Sequence, residues 1–188
     1  MARYQDWDLS QLTDEQKPIW DEIAAGPRGT MPPPHQIWLT NPAFCDPAQK
    51  VGVYCRYGSN LPAALSELAI LVVGRAWRAD YEWWAHAKLA AEAGVSDAII
   101  EAVRTGTEPD FDGAQENADI VFRTAKELVE TKRLSDATFA EADQRLGRKA
   151  FVDVVGIVGY YCLISATLNV FEVPTPDGSA PFADQPPA

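Results

Sequence analysis

Leu61-Pro62-Ala63-Ala64-Leu65-Ser66-Glu67-Leu68-Ala69-Ile70-Leu71, followed closely by Tyr81-Glu82-Trp83-Trp84-Ala85-His86, sets the architecture of this chain. Leu61, Leu65, Leu68 and Val72 fall on one helical stripe, and Glu67 shares the neighbouring stripe with Ile70, Leu71 and Gly74. Both stripes are apolar, so Glu67 is expected to be buried. In the next segment Glu82, His86, Leu89, Ala90 and Ala93 share a face, while Lys88 and Glu92 mark the solvent side. Two successive helices therefore carry two carboxylates and one of the chain's two histidines inward.

Outward from this hairpin, strand signals are scarce and helix punctuation is frequent, so the predicted fold is all-α. Thr13-Asp14-Glu15-Gln16 has the capping-box pattern and opens a helix that should stop near Gly26-Pro27. From Gly26 to Pro42 the prolines predict an ordered loop without regular helix, carrying His35. Asp46-Pro47 reads as the start of a helix ending near Gly58, and Leu61-Pro62 opens one running to about Trp77. Further helices are predicted from Asp80 to Ala93, from Ser96-Asp97 to Gly106, and from about Gly113 to Lys132. Two more are predicted from Ser135 to Gly147 and from Arg148 to Asn169. Residues 1–174 are read as a single domain, and 175–188 as an extended or mobile tail.

The 188 residues carry a formal net charge of −11, which disfavours nucleic acid as a partner. The N-terminus lacks the basic patch and apolar run of a secretory signal, and no Cys-x-x-Cys pair joins Cys45, Cys55 and Cys162, so a cytoplasmic location is expected. Phe151 to Phe171 is long and apolar, but Asp153, Ser165, Thr167 and Asn169 interrupt it. A core or interface helix is expected there rather than a membrane span.

A buried Glu needs a partner or a raised pKa, and a structural ion pair of Glu67 with Arg75 or Arg78 is one reading. The other is catalytic: Glu82, one turn before His86, can orient the imidazole and raise its basicity for general acid-base work. Zinc requires about three or four protein ligands, and the only other histidine is His35, so no metal is expected. Trp38, Tyr81, Trp83 and Trp84 are expected to shape an apolar substrate pocket with His35 at its mouth. An anionic substrate would call on local cations such as Arg56, Arg75 or Arg78.

These residues resemble the carboxymuconolactone decarboxylase family, within the alkyl hydroperoxidase D-like superfamily. The resemblance runs through Pro34-His35-Gln36-Ile37-Trp38-Leu39-Thr40-Asn41-Pro42, Leu61 to Leu71, Tyr81-Glu82-Trp83 with His86, Ala90 to Gly94, Ser96-Asp97, and Leu168-Asn169-Val170-Phe171-Glu172-Val173-Pro174. It implies a helical fold with the site on a central hairpin, and assembly as a homotrimer or homohexamer. In the peroxidase branch a Glu and a His relay protons to a Cys-x-x-Cys pair. By that spacing Glu67 and His86 take the relay positions, and the cysteine positions become Ala79 and Glu82. Thiol-based peroxide reduction by that mechanism then has no thiols to use. The decarboxylase branch acts without a cofactor on small cyclic carboxylates. The resemblance therefore implies a lyase, decarboxylase or isomerase acting on a small organic acid or lactone through Glu67, Glu82 and His86. Two alternatives stand beside it: an antioxidant using Cys45 or Cys55, and a non-catalytic binder of small acids.

Overall fold

A computed structural model describes residues 3–5 and 7–185, and every regular element among them is helical. The order is α1 (Gln16–Ala25), α2 (Pro33–Trp38), α3 (Pro42–Val53), a π turn (Tyr54–Gly58), α4 (Ala63–Trp77), α5 (Asp80–Glu92), α6 (Asp97–Thr105), α7 (Ala118–Thr131) and α8 (Asp136–Val170). A 3-10 turn, Leu9–Gln11, precedes them. The all-α expectation holds.

α4 is the hub. Every residue from Ala64 to Gly74 is buried, as expected of a helix that is apolar on all sides. It packs against α5, α7 and α8, which enclose it. Arg78, in the left-handed conformation with φ 49°, ends α4, and Ala79 then caps α5, so the two helices form a tight hairpin.

The helix signals at Pro62, Asp80 and Ser96 fall within one residue of the observed starts, and Thr13 lies three residues before α1. Thr13 and Gln16 form the capping box: the Gln16 N–H donates to Thr13 Oγ1 and the Thr13 N–H to Gln16 Oε1. Three expectations require correction. The Gly26–Pro42 segment is not wholly irregular, because Pro33 and Pro34 occupy the first positions of α2, where a missing N–H costs nothing. Likewise α3 begins at Pro42 rather than Asp46, and Pro47 lies inside it. The helix after Gly113 starts only at Ala118, since Asn117 is left-handed at φ 71°.

α8 breaks at Gly147, whose φ of 74° and ψ of 153° are non-helical; the stop and restart predicted there are both present. This element alone among the described residues is long and apolar enough to cross a membrane by length and composition. In its most apolar window 61% of the residues are buried within the fold, as in a core helix. Its buried Asp153 is fully employed: Tyr54 Oη donates to it at 2.8 Å, and Asn60 donates through both its backbone N–H (2.7 Å) and Nδ2 (2.8 Å).

The C-terminal segment, expected to be extended or mobile, is docked as far as Gln185; residues 186–188 lie outside the described residues. Phe182 is 2% exposed and packs edge-on to Trp83, with ring centroids 5.3 Å apart. Arg78 Nη2 donates to the carbonyls of Phe182 and Gln185, and Asp80 accepts from the Phe182 N–H.

Candidate active site

The hairpin brings Glu67, Glu82 and His86 together in the core, 9%, 4% and 5% exposed respectively. Glu67 comes from the middle of α4, and Glu82 and His86 lie one turn apart on α5. His86 Nδ1 lies 2.6 Å from Glu67 Oε2. An ionised carboxylate can only accept there, so Nδ1 donates to Glu67, and Nε2 on the ring's other side is the nitrogen left to take up or release a second proton. Nε2 lies 3.1 Å from Glu82 Oε1, an ion-pair distance, yet Oε1 is off the donor axis and takes no hydrogen bond. One side of the ring is thus engaged and the other is poised next to an uncommitted acceptor.

The electrostatics keep protons in this cluster. Burial, the largest influence on Glu82, raises its pKa; the Glu67 charge adds to this, while His86 and Arg56 oppose it. Burial disfavours the His86 imidazolium, but the charge of Glu82 and the hydrogen bond and charge of Glu67 outweigh it, so the His86 pKa is raised. The Tyr161 ring stands edge-on to His86 at 5.1 Å, and its hydroxyl is held protonated well above its usual range by burial.

The two carboxylates approach opposite nitrogens of one ring. The three donors therefore do not converge on a common coordination centre, and no other group of three or more His, Cys, Asp or Glu among the described residues does so.

The remaining candidates are distributed differently from the sequence expectation. His35 is not at a pocket mouth: it is 3% exposed, tilted against Trp38 at 5.1 Å, with Nε2 3.3 Å from the Tyr160 hydroxyl. Trp38 is buried too, and its Nε1 donates to Thr167 Oγ1. Tyr160 and Tyr161 pack edge to face at 5.5 Å, so His35 and Trp38 connect to His86 through the two tyrosines of α8. Trp83 and Trp84 turn to the C-terminal segment instead, the first onto Phe182 and the second donating to Asp177. Tyr81 stacks on Trp84 at 5.6 Å. Of the cations weighed earlier, Arg56 on the π turn is the one whose charge reaches Glu82, His86 and Tyr161. Neither arginine considered as the structural partner of Glu67 takes that place, because His86 does.

The sequence reading missed Tyr160 and Tyr161. Their signal was two phenols inside the apolar run of α8, in step with the core positions Ile157 and Ile164.

Residues 44–123 match the family model of the carboxymuconolactone decarboxylase family. The likeness to the family is confined to that segment. It spans most of α3 through the start of α7 and contains all three members of the Glu–His–Glu cluster. His35, Trp38, Tyr160 and Tyr161 lie outside the matched segment, so this family core is enclosed by residues from both flanks of the chain. The all-helical architecture agrees with the alkyl hydroperoxidase D-like superfamily. No curated protein matches the chain.

Proposed function

We propose that this protein is a lyase or isomerase of the carboxymuconolactone decarboxylase type, independent of a cofactor, that moves protons on a small organic acid or lactone, with decarboxylation as its reaction. The observation carrying the proposal is His86 clamped between two buried carboxylates, one bonded to Nδ1 and one uncommitted beside Nε2. Glu67 fixes the tautomer. Either Nε2 or the neighbouring Glu82 carboxyl carries the mobile proton, and the raised pKa of each favours keeping it.

In this scheme Arg56 attracts the anionic substrate. The bond from carbon to carboxylate breaks, carbon dioxide leaves, and the electron pair moves into the conjugated lactone carbonyl. The proton held at His86 and Glu82 passes to the substrate carbon, and solvent restores it. An isomerisation would use the same pair to take a proton from one carbon and return it to another. The assembly we associate with this activity is a cytoplasmic homotrimer or homohexamer.

The test is turnover of carboxymuconolactone, followed by carbon dioxide release. His86→Ala is expected to lower kcat on the order of a hundredfold or more; unchanged turnover would overturn the assignment. Saturable binding without product in the wild type, with Glu67→Gln altering affinity alone, would instead mark a binding protein.

The thiol-based reading gains no support from the cysteines. Burial pushes Cys45 up to about 12 and Cys55 up to about 11, which suppresses the nucleophilic thiolate at neutral pH. Cys45 Sγ is also engaged with the His35 carbonyl, at 3.6 Å.

A further inference from the structure

A cavity of about 300 Å³ opens between α4, α6 and α7, with Val72, Val103 and Phe122 on its apolar wall and Arg75, Lys126 and Glu130 around them. Its size is at the lower end for small-ligand sites. Arg75 is its notable member. The guanidinium lies over Gly106, Nε is buried with no protein acceptor, and the side chain enters no hydrogen bond or ion pair among the described residues. A buried guanidinium edge with no acid opposite it calls for an external acceptor, and a carboxylate matches its planar, forked donors.

Lys126 adds a second cation at the rim. Its ammonium pairs with Glu108 at 3.1 Å and lies 5.5 Å from the centre of the Phe122 ring, so it stays beside the apolar wall. Glu130 lines the same cavity but is exposed and does not neutralise Arg75. Cationic donors beside an aliphatic and aromatic wall select an amphipathic anion over inorganic phosphate, which would leave that wall unused.

The cavity is separate from the Glu–His–Glu cluster. Arg75 follows Glu67 by eight residues on α4, roughly 12 Å along the helix axis, and its charge is not among those felt by His86 or Glu82.

We propose that this cavity binds a small monocarboxylate with an apolar body, its carboxylate on Arg75 and its body against Val72, Val103 and Phe122. The probe is benzoate, titrated calorimetrically into the full-length protein. One-to-one binding is expected, weakened tenfold or more in Arg75→Gln, by a smaller factor in Lys126→Met, and unchanged in Glu67→Gln. Crystals soaked in 4-bromobenzoate should show the bromine between α4, α6 and α7, a readout that does not depend on any variant folding. Absence of binding, equal affinity in Arg75→Gln, loss of affinity in Glu67→Gln, or bromine located beside His86 would each overturn the proposal.

Discussion

The chain's two histidines are both buried, and their surroundings drive them in opposite directions. His35 has no carboxylate beside it. Burial, reinforced by the charges of Arg28 and Arg56, pushes its pKa down to about 3. Between that value and its usual 6.5, the unfolded chain takes up a proton that the folded protein refuses. Stability is therefore lost as pH falls through this window, by up to roughly 1.4 kcal/mol per pH unit. For His86 the sign reverses: its folded pKa is raised, so its contribution is complete below 6.5 and is lost as pH rises through the folded value. We expect one histidine resonance titrating above 6.5 and another unchanged down to about pH 4 by NMR. Urea unfolding of His35→Gln should show an acid limb shallower than wild type by about one proton's slope. A His35 resonance titrating near 6.5 would contradict this account.

At the level of elements, the π turn and α8 depend on one another. The Asp153 carboxylate ties Tyr54 and Asn60 to the long helix, and it is held below the usual carboxylate range because those hydrogen bonds outweigh its burial. Arg56, the cation nearest the cluster in electrostatic terms, lies on the strapped turn between Tyr54 and Gly58. Asp153→Ala removes the shared acceptor of three hydrogen bonds and leaves a void beside the long helix. It should cost about 2–3 kcal/mol in denaturant melts, with the midpoint shifted and the slope retained. The close approach of α3 to α8 has a similar basis, since a Cβ at Gly52 would overlap the Tyr160 hydroxyl and crowd Arg28. Neither pairing is visible in sequence, because Tyr54 and Asp153 lie 99 positions apart and no local pattern links them.

Across the whole molecule, one surface asks for a partner. Val152, Val155, Leu163 and Val170 are exposed along α8, an apolar face on a chain whose net charge otherwise favours solvation. We expect light scattering after size exclusion to report a trimer or hexamer, and Val152→Glu with Val155→Glu to shift it toward smaller species. A monomeric wild type would remove the assembly from the functional proposal.

Most helix boundaries were legible in sequence because caps, prolines and glycines act locally, within one turn of chain. The inward face of the hairpin was legible for the same reason: a carboxylate among apolar residues at helical spacing has nowhere else to point. The same information identified Glu67, Glu82 and His86 as core groups and left open whether Glu67 would pair with an arginine or with histidine. Tertiary structure resolved that choice by laying α5 against α4 so that the imidazole, rather than Arg75 or Arg78, meets the carboxylate. It also moved His35 and Trp38 into the core with Tyr160, gave Trp83 and Trp84 to the C-terminal segment, and left Arg75 facing a cavity of its own. Those outcomes depend on which helices come to lie side by side, a property of long-range packing that no stretch of neighbouring residues encodes by itself.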